Sequence, residues 1–199
     1  LHITRTTLRF NPASDVTLDV QRFHQQIAAA ESSFEERTAI DALESAVALY
    51  RGEFLEDLFL PDAVEFEEWV LIQRELLARQ MASTLRRLAI FHEREGAYHA
   101  AQNWAERRLR MEPWNETAHR QLMRALALSG QRTRALAQYE ACRRLLLEEL
   151  DVEPGRATRA LYQAIREGQL KPPRRRGTTP EAPVSSSPFV AREEELARL

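Results

Sequence analysis

The sequence predicts an all-α protein in which antiparallel helix pairs stack on one another. Three observations predict it. Glycine is scarce, at 6 of 199 residues, while Ala, Leu, Glu and Arg are abundant, which is a helix-forming composition. Apolar residues recur at helical spacing through most of the chain. Two of the few glycines, Gly96 and Gly130, stand 34 residues apart, and each separates one helical pattern from the next.

The elements follow in order. Residues 1–10 alternate at period two, with Ile3, Leu8 and Phe10 set against Thr and Arg. That favours a short strand pair, which needs a surface to pack on. The run from Asn11 to Asp15 is turn chemistry. Asp19 is placed to N-cap a first helix, on which Val20, Phe23, His24 and Ile27 share a face and which ends near Ser32 and Ser33. A second helix runs from about Phe34 to Tyr50, with Ala39, Leu43, Ala46, Val47 and Tyr50 as its apolar stripe, and Gly52 ends it. Residues 53–62, EFLEDLFLPD, read as an acidic, apolar loop. Asp62 then opens a long helix from about Ala63 to Arg94. Its apolar face includes Phe66, Trp69, Val70, Leu76, Leu77, Leu85, Leu88 and Phe91.

The 34-residue spacing is the tetratricopeptide period. Ala101 matches Ala135 at this offset, Ala105 matches Tyr139, and Leu88 matches Leu122. Pro113 stands 17 residues after Gly96, where such a repeat ends; the second repeat reaches its proline only at Pro154, so its second helix is longer. A last helix, about Gly155 to Glu167, caps the stack. The expected fold is a TPR-like right-handed helical repeat stack, an alpha-alpha superhelix, preceded by a short β-hairpin. Neither clear pair buries its apolar stripe alone, so the helices before Gly96 must supply the missing layer. Cys142 falls at a packing phase and reads as core, and Trp114, at the repeat junction, as a packing anchor.

The net charge of −2 conceals an asymmetry. Residues 31–68 carry 12 Asp and Glu against 2 Arg, and residues 69–176 carry 21 Lys and Arg against 12 Asp and Glu. This suggests polar contacts between the two blocks or two faces for different partners, and the plainer reading is solvated helix faces in a charged protein. The single cysteine excludes an internal disulfide. No apolar run reaches the roughly 18 residues of a transmembrane helix, so no membrane partner is expected. The first residues lack a signal-peptide core. The chain reads as cytoplasmic and as a piece of a larger protein.

Catalytic patterns are missing. There is no Walker-type loop, dinucleotide-binding glycine motif or HExxH, and one cysteine makes no zinc-finger spacing. His92 and His99 flank Gly96 and fall on different helices. The chain is therefore expected to have no catalytic residue, metal or cofactor, and not to be an enzyme. Arginines of the repeat region are the remaining candidates: Arg107, Arg108, Arg120, Arg124, Arg134 and Arg143. Glutamates rather than aromatics are interleaved among them, which disfavours direct nucleic-acid binding and favours a groove that reads acidic or amphipathic protein segments. Lys171 with Arg174, Arg175 and Arg176 reads as a solvated basic linker.

The runs GEFLEDL (52–58), EEWVLIQRELL (67–77) and MEPWNETAHRQLMRALALSGQRTRALAQYEACRRLLLEELDVEPGRATRALYQAI (111–165) resemble the bacterial transcriptional activator domain of SARP-type regulators and their larger relatives. The resemblance covers about residues 18–168. It implies a regulatory domain of a DNA-binding transcriptional activator. Its partners would be proteins: a second copy, RNA polymerase, or a fused sensor or ATPase domain. Promoter DNA would be held by a winged-helix domain upstream, of which residues 1–17 resemble the terminal hairpin. Residues 18–170 would be the activator domain, 171–188 a Pro/Ser/Arg-rich linker, and 189–199 the start of a possible ATPase domain, with Ala191 where that pattern usually has Gly. The alternatives are a TPR-like scaffold outside promoter control, or a coupling domain of a signal-transducing ATPase.

Overall fold

Helical periodicity is realised as seven helices among the described residues of this computed structural model, which are His2–Ile3, Leu8–Arg9, 16–60 and 63–170. They are α1 (Asp19–Ser32), α2 (Glu36–Leu49), α3 (Val64–Arg94), α4 (Tyr98–Met111), α5 (Glu116–Leu128), α6 (Arg132–Leu150) and α7 (Arg156–Arg166). Two short segments, β1 (His2–Ile3) and β2 (Leu8–Arg9), pair antiparallel. Two residues a side do not make the expected hairpin remnant of a winged-helix domain, and that remnant is not seen. The predicted turn at 11–15 and the segments 171–188 and 189–199 lie outside the described residues.

Helix boundaries depart from expectation where a cap was assigned by residue type. Leu18, not Asp19, is the N-cap of α1; Asp19 is already helical, and its Oδ1 accepts the Val20 N–H at 2.8 Å. Its charge still suits the positive end of the helix. The α2 helix stops before Gly52: its C-cap is Tyr50, whose N–H donates to the Val47 carbonyl at 3.3 Å. Ala63 is the N-cap of α3, and Asp62 lies outside the described residues. Asn115 does cap as its residue type favours, its side chain accepting the Ala118 N–H at 3.1 Å at the start of α5.

The glycine turns are the repeat's punctuation. Gly96 has φ of 74° and Gly130 of 81°. Both follow a helix end in which one N–H reaches back five residues, Ala97 to the His92 carbonyl at 2.8 Å and Gln131 to Leu126 at 2.9 Å. The glycine N–H bonds three residues back, to Glu93 and Ala127. This is the Schellman closure, which needs a left-handed residue after the helix. The α7 helix ends the same way, at Gly168 with φ of 71° and Gln169 N–H on the Ala164 carbonyl. Thus α3, α5 and α7 are equivalent first helices, and α4 and α6 the second helices of their pairs.

Matched repeat positions are matched in the core. Ala101 and Ala135, Ala105 and Tyr139, and Leu88 and Leu122 are all buried. Alanine at three of the four α4 and α6 positions lets helices approach closely. As expected, α6 is longer than α4, at 19 residues against 14. Two apolar cores result. One joins α1, α2 and the C-terminal half of α3 around Phe23, Leu43, Met81, Leu85 and Leu88. The other joins α5, α6 and α7 around Leu122, Met123, Leu126, Tyr139 and Ile165. The α4 helix belongs to both: Trp104 and Met111 pack on the first, and Ala105 and Leu109 on the second. The helices before Gly96 do supply the missing layer.

Two apolar expectations are corrected. Trp69 and Leu76, placed on the buried face of α3, are 45% and 48% exposed, and Trp114, expected as a packing anchor, is 51% exposed. Cys142 is core, at 0%. Replacing Gly130 by Ala tests the turn. A Cβ there meets nothing within 4 Å, so the cost is the left-handed backbone alone, about 1 kcal/mol. A drop in thermal midpoint of roughly 2–4 °C is expected; an unchanged midpoint would show that the turn does not need glycine.

Candidate partner-binding surface

Each predicted arginine has a definite place. Arg107 leaves α4 and donates to the Val47 and Tyr50 carbonyls at 3.3 and 3.1 Å, closing the open C-terminal end of α2. Burial, then the neighbouring Arg110, lowers its pKa from the usual guanidinium value. Arg108 is 7% exposed and bonds Glu112 on its own helix at 3.0 Å. Arg120, on α5, donates to the Thr158 hydroxyl of α7 at 3.0 Å and to Thr117 at 2.9 Å. Arg124, also on α5, forms a two-pronged pair with Glu93 of α3 at 3.0 and 2.5 Å. Hydrogen bonding to Glu93 is the main reason its pKa is raised.

The other two are peripheral. Arg134 lies 3.8 Å from Glu106 and bonds Gln131, with 62% of its side chain exposed. Arg143 pairs with Glu153 at 3.0 Å, both 46% exposed. Their mutual hydrogen bond raises the arginine's pKa and lowers the glutamate's. The six do not converge on one basic groove. Four are tied into the joints and ends of the helices, and two remain at the surface.

Similar contacts join the acidic block to the basic body, one of the two arrangements the charge asymmetry suggested over simple solvated faces. Glu36 pairs with Arg94 at 3.5 Å, Glu44 with His92 at 3.1 Å, and Glu53 with Arg74 at 3.8 Å. Arg74 also donates to the Phe54 and Leu55 carbonyls at 2.7 and 2.8 Å, fastening the 53–57 loop to α3. Glu116 does the corresponding work at the other end. Its carboxylate accepts the Gly155 N–H at 2.9 Å and the Thr158 hydroxyl, at the positive end of α7.

A depression of about 440 Å³ lies between α4, α5 and α6. Its apolar walls are Leu109, Pro113, Leu122 and Leu145, and Glu106 and Arg110 are its charged residues. None of the six predicted arginines lines it. A residue that sequence reasoning passed over sits at its floor. His119 is 6% exposed; its Nε2 donates to the Pro113 carbonyl at 2.8 Å, and its Nδ1 accepts from Gln138 at 2.7 Å. Those partners fix the neutral ring, and burial pushes its pKa below the usual 6.5 despite the Pro113 bond and Glu116. The sequence signal was its helical spacing from Leu122 on α5, which marks an inward face.

Among the described residues no group of three or more His, Cys, Asp or Glu is arranged to hold a metal. Cys142 is inert where it lies, its thiol pushed up to about 11 by burial. No described helix is long and apolar enough to cross a membrane.

The family model of the bacterial transcriptional activator domain matches residues 18–166, which is α1 through α7. The chain belongs to the bacterial transcriptional activator domain family. The comparison with curated proteins gives no match. The activator domain is a regulatory family and not an enzymatic one.

The groove histidine gives a pH test. Its folded pKa is depressed, so below about pH 6.5 the unfolded chain binds more protons than the folded one. Stability contributed by neutral His119 is full above that value and is lost as pH falls toward the folded pKa. Thermal midpoints measured from about pH 7 to about pH 5 are expected to fall more steeply in the parent than in His119→Gln. Equal slopes would show that this ring does not titrate differently in the folded state.

Proposed function

We propose that this activator domain works by protein contact, within a regulator whose DNA is held by a separate winged-helix domain. The observation that carries the reading is the engagement of its arginines. Arg107, Arg108, Arg120 and Arg124 bond carbonyls, hydroxyls and carboxylates of the same chain. Phosphate-tracking surfaces instead keep such side chains available for counter-ion exchange. What remains for a partner is the α4–α6 groove, lined by Arg110, with Arg134 exposed on the same face of α6 as Gln138 and Leu145. A right-handed superhelix of these pairs would present that groove to an amphipathic segment, the mode in which an apolar face enters a groove and charges at the rim set orientation. The partner is a second copy, RNA polymerase, or a sensor or ATPase domain of the same regulator.

The full 199-residue chain, fused to an unrelated DNA-binding domain, tests this at a reporter promoter carrying that domain's operator. Transcription above the level of the DNA-binding domain alone is expected. The double variant Arg110→Ala/Arg134→Ala is expected to lower it several-fold, as for loss of rim charges. By itself the chain is expected to give no sequence-specific complex with DNA in a gel shift at moderate salt. Reporter output equal to the DNA-binding domain alone, or a tight specific gel-shift complex, would sink the reading.

A further inference from the structure

The α3 helix is 31 residues long, about 46 Å at 1.5 Å per residue. Its C-terminal half is the first helix of a repeat and is buried on several sides. Its N-terminal half packs on the 53–60 segment through Arg74, Phe54 and Glu67. There Val70 and Leu77 point inward, at 1% and 5% exposed. An adjoining face carries a second apolar line: Trp69, Ile72 and Leu76 are 45%, 58% and 48% exposed. Their spacing of three and four continues to Glu65 before and Arg79 after, both exposed. Five residues at alternating steps of four and three form one straight seam on a helix.

The seam reads acid, three apolar residues, base, and it is centred on Ile72. We infer that this face pairs with the same face of a second copy of the chain, the two α3 helices running antiparallel about a two-fold axis near Ile72. Antiparallel pairing sets Glu65 of one copy against Arg79 of the other, twice, and Trp69 against Leu76. Parallel pairing would set Glu65 on Glu65 and Arg79 on Arg79. Among the described residues Arg79 holds only its own Glu75, at 2.6 Å with both side chains more than half exposed, so that pair can widen to take in a second carboxylate. Trp69 is already braced, edge-on to Phe54 at 5.6 Å and 5.8 Å from Phe66. A rigid, half-exposed Trp at the centre of a patch is the usual interface anchor. Glu68 and Glu75 lie on one flank, where Glu68 approaches the partner's Glu75, and the seam is short of a standard interface. Both limit the pairing to a concentration-dependent dimer.

The inference gives one identity to the protein partner proposed above, but its test does not depend on transcription. Sedimentation of the full chain over a wide concentration range is expected to show a monomer–dimer equilibrium. Ile72→Glu, at an exposed position, is expected to weaken it at least about tenfold with an unchanged circular dichroism spectrum and thermal midpoint. Glu65→Arg and Arg79→Glu are each expected to self-associate less, and the two variant chains mixed together to associate again. With Cys142 buried, Ile72→Cys is expected to give a disulfide-linked dimer under mild oxidation, and Glu95→Cys, off the seam, to give none. A parent chain monomeric throughout, as when its own terminal segments cover the seam, overturns the inference. So does a dimer indifferent to Ile72→Glu. Failure of the mixed charge variants to associate overturns the antiparallel register. Reporter activity from a strictly monomeric chain would leave the activator reading intact and remove only this one.

Discussion

Three left-handed glycines hold the rest of the structure in place. At Gly96, Gly130 and Gly168 the backbone takes φ near +75° and turns out of a helix. A residue with a Cβ resists that conformation by about 1–2 kcal/mol. The closure it allows satisfies carbonyls that a helix end would otherwise leave open, through the bonds from Ala97, Gln131 and Gln169. More importantly, it fixes the direction in which the chain leaves. After Gly96 and Gly130 the next helix starts two residues on, at Tyr98 and Arg132, and returns antiparallel. The alanines at 101, 105 and 135 then make the return close-packed, since they place no side-chain bulk between the axes. Turn and small residues act together: either alone would leave the pair splayed.

Close pairs leave apolar faces outside, and that is why α4 joins two cores. Its Trp104 and Met111 complete a core built from the irregular first half, and its Ala105 and Leu109 a core built from the repeats. The joints between layers are polar and directional. Arg107 caps α2, Arg124 grips Glu93, Glu116 holds the start of α7, and Gln102 bridges the Ala125 carbonyl and Ser129. Partly exposed pairs of this kind add little stability individually. Their contribution is register: a layer that slid by one residue would leave α2 uncapped and the Thr158 hydroxyl, fully buried, without a partner. Charge here specifies the stacking order, which area burial alone does not.

Period and punctuation were legible in the sequence because each has a local cause. Gly96 and Gly130 announced themselves by spacing, and the matched alanines by their phase. The long α6 followed from the late Pro154. What failed was anything that depended on what lies across from a residue. Periodicity placed Trp69 and Leu76 on an apolar face, and α3 does have one there, but the helix extends beyond the layer that would cover it. Trp114 has the size of an anchor but sits at a turn that leaves half of it exposed. Asp19 has the chemistry of a cap, but the helix began one residue earlier than its chemistry required. The arginines were the clearest case. Arginine number and spacing are visible in sequence; that Arg107 would find the end of α2, some sixty positions away, is a property of the fold. Gly168 was readable, since it lies 38 residues after Gly130, but the longer α6 had taken it out of the 34-residue register.

The helix α3 shows how far repeat logic goes in this family member. A first helix of a pair needs about 13 residues, as α5 has, to match its partner. The α3 helix has more than twice that. Its C-terminal half obeys the repeat, ending at Gly96 and packing with α4. Its N-terminal half obeys a different requirement, the anchoring of the 53–60 segment through Arg74, Phe54 and Glu67. Such an extension has two sides and one local covering. Burying Val70 and Leu77 gives the extension its stability, and Trp69 braces Phe54 of the segment edge-on, while Ile72 and Leu76 gain nothing from it. Large apolar side chains aligned on an exposed helix lower solubility. A polar residue at Ile72 or Leu76 would serve the fold equally well, so the seam has to be explained by something the isolated stack does not contain.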